Sequence, residues 1–136
     1  MEGEQVVLRF RAGPADAHYA GNLVAGGRIL QWFGDAATAL CIMHDGDEGL
    51  FVAYDRVEFV APVHAGDFLE VRGRITRTGN TSRGMSFEAY KFIGAAGAGS
   101  RESAADVLEP PLLVARASGT CVVPAQRRRK RGETGG

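Results

Sequence analysis

Apolar and polar positions change their period several times along the chain, and each change marks an element. Val6 to Phe10 alternates with Arg9 and Arg11 and predicts a first strand, ended by Gly13-Pro14. A loop of small and polar residues follows, with Asp16, His18, Tyr19, Gly21 and Asn22. From about Leu23 to Met43 the pattern is helical: Ile29, Leu30, Phe33, Ala37, Leu40 and Cys41 share one face, and Gln31, Asp35 and Thr38 form a polar stripe on another. Asn22 stands where its side chain can cap the first turn. His44 to Gly49 is turn-rich and acidic, but it lacks the length and ligand spacing of a calcium loop.

Strand patterns fill the rest. They run over Leu50 to Val60, Phe68 to Arg77, Ser86 to Ile93 and Leu112 to Val123. Pro62 and Gly66-Asp67 mark one turn, and Gly79-Asn80 is a hairpin signal. Gly94 to Ser103 reads as a mobile, Gly-rich excursion. The spacing predicts one α+β domain over residues 1–124, followed by a disordered basic tail over 125–136. A lone helix cannot bury itself, so the economical arrangement is a strongly curved antiparallel sheet wrapped around it.

Composition narrows the function classes. The 16 basic and 16 acidic residues cancel, which argues against a general nucleic-acid binder. No apolar run approaches the length of a membrane span, and no signal segment opens the chain, so a cytoplasmic address is expected. Cys41 and Cys121 sit in separate apolar runs with no metal-ligand spacing, which predicts buried thiols and no metal site.

Three segments then resemble a known fold family. They are Gly26-Gly27-Arg28-Ile29-Leu30-Gln31-Trp32-Phe33, Val57 to Asp67, and Gly79-Asn80-Thr81-Ser82, in the order and spacing of the hot-dog acyl-CoA thioesterases. A narrower resemblance runs through His18 to Val24, Phe33-Gly34-Asp35, His44 to Tyr54, Phe87 to Lys91 and Ala117 to Pro124. These segments are similar to the hot-dog ammonia lyases, which act on beta-alanyl-CoA or 3-aminobutyryl-CoA. Many of the thioesterases carry an acid directly after the apolar pair matching Trp32-Phe33. Here Gly34 takes that place and Asp35 follows, about 100° further round a helix. The Asp-x4-His pattern of the related hydratases is absent.

The resemblance implies a lyase that adds or removes ammonia at a 3-aminoacyl-CoA without a cofactor, coenzyme A being part of the substrate. An acyl-CoA thioesterase and a non-catalytic acyl-CoA-binding protein are the alternatives. Such a lyase needs a base beside the thioester and donors for an enolate oxygen. Candidate catalytic groups are Asp35, Glu58 and His18. The plain alternatives are an Asp35 paired with Arg28 or Arg56, a solvent-exposed Glu58, and a surface-loop His18. Gly26 and Gly27 either let a thioester approach the helix backbone or relieve packing. Tyr19, Asn22 and Tyr54 are candidate pocket residues, with capping the alternative for Asn22 and simple packing for Tyr54. Asn80, Thr81, Ser82 and above all Arg83 are candidates for the CoA phosphates, with Arg74, Arg77 and Lys91 secondary. His64 is expected to be exposed. The resemblance further implies a homodimer with shared active sites, with assembly into hexamers left open, and no nucleic-acid or membrane partner.

Overall fold

The computed structural model describes residues 4–97 and 99–129. Seven strands and one long helix follow one another: β1 (Gln5–Arg11), β2 (Ala17–Tyr19), β3 (Leu23–Val24), α1 (Gly26–Asp45), β4 (Leu50–Phe59), β5 (Phe68–Thr78), β6 (Ser82–Ala95) and β7 (Ala105–Val122). Five of the strands form an antiparallel sheet in the order β1-β5-β6-β7-β4, and β2 and β3 pair separately. This is the α+β layout expected, one helix against an antiparallel sheet.

The core lies between the two layers. From α1 it takes Trp32, Phe33, Ala36, Ala37, Leu40 and Cys41, and from the sheet Leu69, Val71, Ile75, Met85, Phe87, Ala89 and Cys121. The sheet residues alternate along their strands, as one buried face requires. Phe10 stacks on Trp32 at 5.4 Å and Phe33 on Phe87 at 5.4 Å, so each strong aromatic on the helix meets one from the sheet. Both cysteines are buried. The hydrogen bond its S–H gives to Cys121, together with burial, pushes the Cys41 thiol up, so it is no ready nucleophile. No helix among the described residues is long and apolar enough to cross a membrane.

Four expectations are corrected. The helix starts at Gly26, not near Leu23, because Leu23 and Val24 are pulled into strand pairing: Val24 donates to the Val63 carbonyl at 2.8 Å and Leu23 bridges His64. Asn22 therefore is not the cap. It lies outside α1 with φ 61°, and Ala25 is the N-cap. The Gly-rich excursion is shorter than expected, since β6 reaches Ala95 and β7 begins at Ala105. The basic tail is ordered at its start: Ala125–Arg127 forms a 3-10 turn, and Arg128 and Arg129 make hydrogen bonds to the body. The expected disorder of residues 130–136 lies outside the described residues.

Candidate active site

The N-terminus of α1 carries no side-chain cap. Ala25 offers no side-chain acceptor and no acidic residue stands in the first turn. Arg28 donates its N–H to the Ala25 carbonyl at 3.0 Å, which leaves the first-turn N–H groups of Gly26 and Gly27 open. With the helix dipole they make a seat for developing negative charge on an oxygen. Beside them lies an open, mainly apolar groove of about 610 Å³, lined among others by Tyr19, Gly26, Gly27, Phe59, Val60 and Pro62.

The two glycines serve different ends. A Cβ on Gly26 would stand 2.6 Å from the ring of Phe59, so Gly26 exists for packing. A Cβ on Gly27 would meet nothing within 4 Å, so nothing in this chain demands a glycine there. Glycine in a helix is destabilising by roughly 1 kcal/mol relative to alanine. Gly34 is open in the same way.

Apart from Arg28, the exposed face of α1 is a single stripe. Gly27, Gln31, Asp35 and Ile42 are exposed and Thr38 is half-buried, spaced by four, four, three and four residues. Asp35 is on this stripe and makes no hydrogen bond or ion pair among the described residues. The alternative pairings are taken up elsewhere: Arg28 holds Asp16 at 2.7 Å and Arg56 holds Glu58 at 2.9 Å. Tyr54 borders the stripe, its hydroxyl donating to the Leu30 carbonyl at 2.8 Å, and burial pushes its pKa up to about 12. It is a packed residue whose polar tip reaches the helix.

Other candidates fall elsewhere. Glu58 is on the outer face of the sheet, away from α1, where Arg116 holds it at 2.9 Å and pulls its pKa down with help from Arg56. This chain does not bring it to Asp35 or Gly27. His18 is exposed on β2, edge-on to Tyr19 with ring centroids 4.7 Å apart, one ring removed from the groove. Asn22 is exposed, and its carbonyl accepts from Ala65. His64 is exposed, as expected.

Arg83 is the clearest correction. Its side chain is 2% exposed, clamped to both carboxylate oxygens of Asp45 at 2.9 Å and to the carbonyls of Gly79 and Ser82. It ties the β5–β6 hairpin to the C-terminus of α1 and, buried there, is out of reach of a phosphate. Asn80, Thr81 and Ser82 go with it to that end, about 30 Å from Gly27 along a 20-residue helix. Lys91 is likewise engaged, by Asp67 at 3.0 Å. Phe59 and Val60 were not singled out from sequence. Their signal was apolar side chains at the end of an edge strand, exposed here at 52% and 54%.

Comparison with known proteins adds to this geometry. The profile of the thioesterase superfamily matches residues 21–96. The 3-aminobutyryl-CoA ammonia lyase of Acetoanaerobium sticklandii is 61% identical over 124 residues, which cover 91% of this chain and 98% of that protein. The solved structure of the beta-alanyl-CoA:ammonia lyase from Clostridium propionicum superposes with a TM-score of 0.91 at 39% identity, covering 98% of this chain and 94% of that one. A hexameric hotdog fold thioesterase of Campylobacter jejuni shares the fold, with a TM-score of 0.72 at 24% identity over 96% of this chain and 89% of its own.

Proposed function

The chain belongs to the thioesterase superfamily, and from that premise we propose that it is a carbon–nitrogen lyase interconverting a 3-aminoacyl-CoA with the enoyl-CoA and ammonia. The observation that carries the proposal is the match along nearly the whole chain to two proteins named as ammonia lyases on CoA thioesters. 3-Aminobutyryl-CoA is the first substrate to try, with beta-alanyl-CoA second.

In the proposed reaction a carboxylate takes a proton from the carbon next to the thioester carbonyl. The electron pair moves onto the carbonyl oxygen, giving an enolate. It then returns to form the carbon–carbon double bond as the carbon–nitrogen bond breaks. An ammonium group leaves as ammonia and regains a proton from the carboxylic acid. Nothing is oxidised or reduced, and no cofactor enters; coenzyme A is part of the substrate.

We assign the enolate seat to the Gly26 and Gly27 N–H groups and the base to Asp35. Its exposure and lack of an ion-pair partner support that role. Gly27 and Asp35 are eight residues apart, about 12 Å along one helix axis. One thioester presents its carbonyl oxygen and its acidic C–H within a few ångströms of each other. The two groups therefore serve one substrate only when they come from two copies, and a homodimer with shared sites is part of the proposal. The unpaired edge of β4, with exposed Leu50 and Val52, supports such a contact. His18 and Tyr19 remain at the groove mouth as proton-relay and substrate contacts within the same proposal.

The test mixes crotonyl-CoA, ammonium and purified protein and follows the absorbance of the conjugated thioester together with free thiol. Ammonium-dependent loss of absorbance without thiol release is expected. Thiol release independent of ammonium identifies a thioesterase instead and overturns the lyase reading.

A further inference from the structure

We propose that residues 125–129 form the seat for the phosphates of the CoA portion of the substrate, with Arg127 and Arg128 holding them. The identity of the ligand rests on the lyase reading; the existence of an anion seat does not.

Arg83 is buried and held by Asp45 and two carbonyls, so the cations within reach of a phosphate at this end of the molecule come from elsewhere. After Pro124 the chain turns back across the C-terminus of α1. Arg127 donates its N–H to the Pro124 carbonyl at 2.9 Å and Arg129 to the Asp45 carbonyl at 2.6 Å. The Arg129 guanidinium reaches the Gly46 carbonyl at 3.2 Å, and that of Arg128 reaches the Asn80 carbonyl at 3.1 Å. The strap is thus pinned both to the helix end and to the β5–β6 hairpin. Its backbone is in place before any ligand arrives, which lowers the ordering loss on binding.

The three arginines are exposed, and they divide by role. Arg129 lies over the last carbonyls of α1, where a cation complements the helix dipole. Arg128 uses one nitrogen on Asn80 and has donors to spare, and Arg127 has no hydrogen bond or ion pair from its side chain among the described residues. Asp47 and Glu48 are the acids of the neighbouring loop. Asp47 is turned to the Gly49 N–H, and neither acid forms an ion pair with Arg127 or Arg128. Two guanidinium groups that no carboxylate holds, on neighbouring residues of a pinned backbone, suit a phosphate ester, which each can meet through charge-assisted N–H bonds. The long axis of α1 separates this seat from Gly27 of the same chain. The strap and the enolate seat therefore serve one substrate across a subunit boundary.

The experiment uses the full chain and adenosine 3′,5′-bisphosphate, the phosphate-bearing end of CoA without the thioester, with binding read by calorimetry. The R127Q/R128Q double variant is expected to weaken binding about tenfold or more, as loss of charge-assisted contacts does. R127K/R128K is expected to recover part of the loss. In turnover, the KM for crotonyl-CoA rises in the double variant, while the KM for the phosphate-free crotonyl ester of N-acetylcysteamine does not. Equal losses on both thioesters, or unaltered bisphosphate binding, overturn the proposal. If bisphosphate binding depends on the two arginines but crotonyl-CoA is not aminated, the lyase reading fails and the anion seat stands.

Discussion

At its C-terminal end α1 is held from every side. Gly46, at φ 69°, turns the chain and donates to the Ile42 carbonyl, the Asp45 carboxylate is clamped by Arg83, and Arg129 covers the last carbonyls. At its N-terminal end the same helix starts without a side-chain cap, on two glycines, facing an open groove. The difference shows how one element divides its duties. Hydrogen-bonding capacity used inside the chain supports the fold, and capacity left open at a fixed place is available to a substrate.

The sharpest test of this contrast attacks the closed end. Arg83→Met leaves Asp45 buried and unpaired and should lower stability by about 3–5 kcal/mol. Urea denaturation measures it, and a loss under about 1 kcal/mol would break the comparison. Asp35→Asn probes the open side. Stability should stay within about 0.5 kcal/mol, since the residue is exposed and unpaired. Turnover should fall at least about a hundredfold, the contribution of a general base.

Gly27→Ala separates the two duties at one position. Helix propensity predicts a gain of about 0.4–1 kcal/mol, while the added methyl should cut turnover about tenfold or more. A variant that is both more stable and fully active would remove Gly27 from the site. Tyr54→Phe is the mildest change, losing one hydrogen bond to Leu30 at about 1 kcal/mol. Its pH signature has a definite sign. Burial raises the Tyr54 pKa from 10.0 to about 12, so the fold favours the neutral phenol. That contribution is whole below pH 10 and is lost as pH rises toward 12. Chemical denaturation at a series of pH values should show the stability gap between the parent chain and the Tyr54→Phe variant shrinking over that window.

Local pattern revealed more of the fold than of the site. The helix interior was legible because Ile29, Phe33, Ala37, Leu40 and Cys41 repeat at helical spacing and are all buried. Its start was not, because Leu23 and Val24 continue the apolar pattern and only their pairing with Val63 and His64, far along the chain, makes them strand. The same kind of distance hid Arg83. A basic residue after a hairpin reads as exposed unless its acidic partner, Asp45, is known to fold against it. Gly26 and Gly27 were legible as a pair but not as different residues, since only the ring of Phe59 tells them apart. Glu58 was placed by simple alternation, and its outward position follows that rule.

The sheet order has a consequence for synthesis. Of the described strands β1 is made before the others, yet its partner in the sheet among the described residues is β5, with Arg11 opposite Phe68 and Gln5 opposite Arg74. At about 5–20 residues per second the nascent β1 waits on the order of 3 to 12 s for that partner to be made. β4 waits in the same way for β7, which completes the sheet last. From the completion of α1 at Asp45 until β5 and β6 are made, its apolar face, with Trp32 and Phe33, stands without the sheet residues that cover it. That makes the growing chain, and not the finished protein, the form most in need of a chaperone.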